Sequence, residues 1–142
     1  MNSQSGFTLI EIMVVVLIIA GLAYIVGTNV IGQSEKAKRE QAGIQIKQFE
    51  SSLKFFKLDN GFYPETQQGL RALIEYPTTG REAKKWNTNG YLDSTEIPLD
   101  PWNNEFIYIG PDQTQDGLYE LRSIGEDGIS NTDDDISSRD TR

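Results

Sequence analysis

The chain has 142 residues, a net charge of −8, and neither cysteine nor histidine. That length holds one domain plus an anchor and is too short for two independent cores. The acidic balance, with no basic stripe, argues against a nucleic-acid partner. The missing residue types remove disulfides, thiolate metal sites, Cys nucleophiles and the commonest general base.

The first element opens with GFTLIEIMVVVLIIAGLAYIVG, residues 6–27. No residue between Ile12 and Gly27 is charged, and apolar character runs from Phe7 to about Ile31. Roughly 20 such residues cross a bilayer as a helix. A buried core helix would keep a polar face, and a cleaved secretory signal would carry basic residues ahead of its apolar run. The leading MNSQSG has no Lys or Arg. The pattern therefore predicts a retained membrane helix over residues 7–32. Glu11 is the lone anion within it. A charge deep in lipid costs about 2.5–3.5 kcal/mol on insertion scales. Glu11 must either snorkel to the headgroups near the helix start, helped by the helix dipole, or meet a cation. With no basic side chain in the run, the candidate cation is an α-amine freed by cleavage just upstream.

GFTLIE followed by a long apolar run resembles the processing site of type IV pilins and type II secretion pseudopilins. The resemblance implies that a prepilin peptidase cuts between Gly6 and Phe7, so that 1–6 is a leader, and methylates the new Phe7 amine. It also implies that Glu11 pairs with that amine on a neighbouring subunit during assembly. Lys36, Lys38 and Arg39 would, by the positive-inside rule alone, place the C-terminal side in the cytoplasm. The resemblance implies the periplasm.

From residue 33 to 58 the pattern turns amphipathic. Ala42, Ile46, Phe49, Leu53 and Phe56 fall on one helical face among charged neighbours. With no proline before Pro64, 7–58 predicts one long helix of about 50 residues, its second half packed on the chain's own globular part, 59–136. Asn60-Gly61 and Pro64 end it. Residues 66–77 predict a short helix with Thr66 as N-cap and Leu70, Leu73 and Ile74 as its apolar face. A long polar loop follows, within which Pro98 and Pro101 shape a turn and Trp102 fills a gap in the core. Residues 105–110 and 118–125 read as strands joined like a hairpin. Residues 137–142 read as a flexible tail.

Residues 125–135, GEDGISNTDDD, gather five acids. Two like charges 4 Å apart repel by about 4 kcal/mol at an effective dielectric of 20, so the loop either splays them into water or folds them onto a cation. Gly125 and Gly128 permit sharp turns, and Ser130, Asn131 and Thr132 add neutral oxygens. Hard oxygen ligands suit Ca²⁺, and the absence of His and Cys disfavours zinc and copper. The spacing is not that of an EF-hand.

YPETQQGLRAL, DPWNNEFIY and SIGEDGISNTDDDI resemble segments of the major pseudopilins, the core protein G family of type II secretion. That resemblance implies an α+β, pilin-like fold: a long N-terminal helix, membrane-spanning in its first half, on a small antiparallel sheet. It further implies structural calcium held by the side chains of Asp127, Asp134 and Asp135, by Thr132, and by the Ile124 and Ile129 carbonyls, with Glu126 and Asp133 facing outward. The implied protein is a single-pass inner-membrane subunit with a periplasmic domain and no catalysis. It polymerises with itself, contacts minor pseudopilins and the inner-membrane secretion platform, and sits in membrane lipid before assembly. Three other readings stay open: a type IV pilin of a surface fibre, a membrane-anchored calcium-dependent hydrolase, and a calcium-responsive adaptor.

Overall fold

The computed structural model describes residues 7–140, apart from the side chains of residues 25–31 and 33. The element order is a helix α1 (Leu9–Asn60), a 3-10 turn (Leu70–Leu73), and strands β1 (Ile107–Ile109), β2 (Glu120–Ser123) and β3 (Ile136–Ser137). The chain separates into two compact units, Met1–Ala37 and Lys38–Arg142.

From Leu9 to Tyr24 the helix is apolar on every side apart from Glu11. Its large side chains, including Leu9, Ile12, Val16, Leu17, Ile19 and Leu22, are about half or more exposed. Among the described residues no helix is long and apolar enough to cross a membrane.

The second unit is built on the stripe expected from spacing. Ala42, Ile46, Phe49, Leu53 and Phe56 are all buried. Ile46, Phe49, Leu53 and Phe56 form one core with Leu70, Leu73, Phe106, Tyr108, Tyr119 and Leu121. Phe49 meets Phe106 edge-on at 5.1 Å between ring centroids, and Phe56 meets Phe62 at 5.6 Å and Tyr91 at 5.4 Å. Such pairs add to plain area burial. Phe56→Ala is expected to cost about 3–5 kcal/mol through the cavity it leaves. Urea denaturation of the full chain in detergent, followed by near-UV circular dichroism, measures this.

The sheet is antiparallel in the order β1-β2-β3. Tyr108 pairs with Leu121, which puts both on the core face, and Ser123 pairs with Ile136. Both expected strands form, trimmed at each end.

Three expectations need correction. Thr66 does not cap the short helix. Gly69 holds that position, at φ 58°, while the Thr66 hydroxyl accepts from the Gly110 N–H (2.9 Å) and both its N–H and hydroxyl donate to Asp112. The side chain was recruited by the end of β1 instead of by its own helix. Residue 137 does not begin a tail: Ser137 lies in β3 and Ser138 is fully buried. Ser138 donates its N–H to the Leu121 carbonyl (2.8 Å) and accepts the Leu121 N–H on Oγ (3.1 Å). Arg139 pairs with Asp116 at 3.0 Å. Trp102 is half-buried and outside the core cluster; the buried member of its turn is Asp100.

The long polar segment after the 3-10 turn is ordered by side chains in place of strands. Buried Gln68 donates to the Thr79 and Arg81 carbonyls at 2.7 and 2.8 Å. Trp86 donates its indole N–H to Ala72 (2.8 Å), and the Tyr91 N–H reaches the Leu73 carbonyl (2.7 Å). Tyr108 donates its hydroxyl to the Pro64 carbonyl (2.8 Å), and burial pushes its phenol well above the ordinary range.

Candidate functional site

Two regions carry the residues singled out by sequence. At the N-terminus, Gly6 lies outside the described residues, and Phe7 is 84% exposed. Thr8 immediately precedes α1. Glu11 Oε2 accepts from the Thr8 N–H and hydroxyl, each at 2.8 Å, and Thr8 Oγ1 accepts from the Glu11 N–H at 3.3 Å. This is a capping box, which satisfies helix N–H groups that lack an intrahelical partner. The T-x-x-E spacing at 8–11 signals it in the sequence. The carboxylate thus sits at the first turn of the helix, held by its own chain.

The second region is the connection from β2 to β3, residues 124–135. Thr132 Oγ1 is its point of convergence. It lies 2.7 Å from Asp134 Oδ1, 2.9 Å from the Ile129 carbonyl, 3.3 Å from Asp135 Oδ1 and 3.4 Å from Asp127 Oδ1. A hydroxyl has one proton to give, so at most one of these four oxygens receives it at a time. Asp127 Oδ1 is met besides by the Ile129 N–H at 2.8 Å. The second oxygens of Asp134 and Asp135 are bonded within the loop and to β2. Asp134 Oδ2 accepts from the Asp127 N–H (3.1 Å), and Asp135 Oδ2 accepts from the Asn131 N–H (2.8 Å) and from Arg122 Nη1 (3.2 Å). The Thr132 hydroxyl, then the Asp127 N–H, hold the Asp134 carboxyl below its ordinary range.

Gly125 closes the loop against this cluster. Its φ is 65°, and a side chain there would overlap the Asp134 carboxylate and stand 2.7 Å from the Asp134 carbonyl. Only glycine fits such a cradle without strain.

Five of the six proposed ligands, Asp127, Ile129, Thr132, Asp134 and Asp135, are brought together. Ile124 makes none of these contacts and directly precedes Gly125. Glu126 and Asp133 are exposed. Among the described residues no three Asp, Glu, His or Cys side chains gather closely enough to hold a metal by themselves. The convergence runs through the threonine hydroxyl. The donor set is all hard oxygen, which fits Ca²⁺.

Sequence reasoning missed two supports of this loop. Arg122, on β2, reaches Asn131 Oδ1 (2.6 Å) and Asp135 while paired with Glu120. Asn104 donates Nδ2 to the Gly125 carbonyl at 2.8 Å. Neither contact has a local sequence signal, since each partner lies eight or more residues away.

Comparison with known proteins extends these observations. The family model "Type II secretion system (T2SS), protein G" matches residues 29–139. The chain belongs to the type II secretion system protein G family. A "Prokaryotic N-terminal methylation motif" model matches residues 1–20. The type II secretion system core protein G of Escherichia coli K12 is 43% identical over 137 residues, covering 96% of this chain and 92% of that protein. The Pseudomonas aeruginosa core protein G is 45% identical over 140 residues, covering 98% and 97%. The crystal structure of the major pseudopilin from the type 2 secretion system of enterohaemorrhagic E. coli aligns with a TM-score of 0.67 at 37% identity. That alignment covers 78% of this chain and 93% of the other. The fold is accordingly pseudopilin-like, and the family is one of structural secretion components, not of enzymes.

Proposed function

We propose that this protein is the major structural subunit of a periplasmic pseudopilus whose polymerisation drives export of folded proteins across the outer membrane. Its place as a type II secretion pseudopilin follows from the family. A prepilin peptidase cleaves after Gly6 and methylates the Phe7 amine. Residues 7–32 hold the subunit in the inner membrane, with the globular part in the periplasm, until copies stack. Minor pseudopilins and the inner-membrane platform are its assembly partners. It has no reaction of its own.

The observation that carries this reading is the helix from Leu9 to Tyr24, whose apolar side chains are exposed on every side. Exposed apolar surface of that extent needs lipid or other copies of itself to cover it. Mass spectrometry of the membrane-extracted protein tests it. The expected mass is that of residues 7–142 plus one methyl group. An intact Met1, or cleavage after Ala23, overturns it.

Calcium in the 124–135 loop is part of the same proposal. Asp127, Thr132, Asp134 and Asp135 would hold it with the Ile124 and Ile129 carbonyls. The ion would supply the positive charge that one hydroxyl proton cannot. It would tie β2 to β3 in a domain whose sheet is only three short strands, and small cores gain most from such a staple.

A further inference from the structure

The DPWNN turn, residues 100–104, holds the most buried carboxylate among the described residues. Asp100 is 3% exposed. Its Oδ1 accepts from the Trp102 N–H (3.0 Å) and the Asn104 N–H (2.8 Å), and its Oδ2 accepts from the Ser123 hydroxyl at 2.6 Å. The turn is closed by the Asp100 N–H to the Asn104 carbonyl (2.9 Å) and the Asn103 N–H to the Asp100 carbonyl (3.0 Å). A buried carboxylate survives only when its oxygens are met this fully.

Two groups of this knot reach the metal loop, and both land on Gly125. Asn104 Nδ2 takes the Gly125 carbonyl at 2.8 Å. Ser123 Oγ, fully buried, accepts the Gly125 N–H through a long bond of 3.4 Å. Asn104 Oδ1 lies 3.7 Å from where a side chain on Gly128 would begin, so this one amide wedges under both glycines of the loop.

We propose that Asn104, fixed by the buried Asp100–Ser123 pair, is a positioning residue for calcium: it orients the two peptide groups flanking Gly125 so that the loop meets the ion pre-arranged. This rests on the calcium reading above. The physical reason is the planarity of the peptide. The Gly125 N–H and the Ile124 carbonyl belong to one trans unit and point in opposite directions. Turning that N–H toward Ser123 turns the Ile124 carbonyl away from it. The next carbonyl, that of Gly125, is consumed by Asn104. The turn thereby selects which of the two successive carbonyls is left to ligate, and it presses Gly125 against Asp134. Partners of this kind, one shell out from the ligands, set affinity through orientation and typically account for about 10–100-fold in metal binding.

The test uses the full chain in detergent. Calcium binding is followed by calorimetric titration, and melting temperatures are recorded with calcium and with chelator. N104A is expected to raise the calcium Kd at least about tenfold and to shrink the gap between the two melting temperatures. N104L, which keeps bulk and lacks the donor, is expected to do the same and serves if N104A does not fold. A merely structural role would lower both melting temperatures equally and leave Kd within about threefold of the parent; that result overturns the proposal. So does failure of both variants to fold in saturating calcium. A parent protein that binds no calcium at all overturns the calcium reading itself, which separates the two failures.

Discussion

Glu11→Leu is expected to abolish filament formation while leaving the subunit in the membrane, with cross-linked polymer as the readout. The proposed pairing with the Phe7 amine of the next copy brings two poorly solvated charges together, and both gain most where water is scarce. The capping box raises a rival cause, because leucine also removes the bonds from Glu11 to Thr8. Loss of a cap costs about 1 kcal/mol and could fray the first turn. Glu11→Gln separates the two. Glutamine preserves a capping box and abolishes the charge. If charge pairing drives assembly, Glu11→Gln fails to polymerise as Glu11→Leu does. Normal filaments with glutamine would assign the residue to the helix end and sink the pairing.

Chelation should produce the second large effect. In full-length protein in detergent, the melting temperature with excess calcium is expected to exceed that with chelator by about 10–20 °C. Ligand at a hundredfold over Kd stabilises by about 2.7 kcal/mol, and a domain of this size shifts by about 4–8 °C per kcal/mol. Asp134→Ala should remove the difference, because that carboxylate is the nearest of the acids to Thr132 Oγ1, at 2.7 Å. The pH dependence has a definite sign. The Asp134 carboxyl is held below its ordinary range, so its contribution is present above the unfolded value and is lost only as pH falls through the lowered one. The calcium effect is therefore expected to be equal at about pH 6 and pH 7.5. Superimposable melts with and without chelator would make the loop a solvated acidic turn.

The sequence by itself determined the long helix and the face it buries. Spacings of three and four residues place Ala42, Ile46, Phe49, Leu53 and Phe56 on one side, and burying apolar surface is the dominant driving force, so pattern and outcome agree. It also marked the two strands and the acidic loop, because each is a local run of one residue type. Tertiary structure alone decided the rest. β3 is two residues long, too short for any period to show, and exists because β2 offers an edge and Ser138 finds a buried place beside Leu121. Thr66 left the helix end for Gly110 and Asp112, more than forty residues away. Asp100, written in a turn motif that reads as local punctuation, became the buried anchor from which Asn104 reaches Gly125. These are contacts of single polar groups, and a polar group's partner is chosen by whichever donor or acceptor the packed core brings within 3 Å of it.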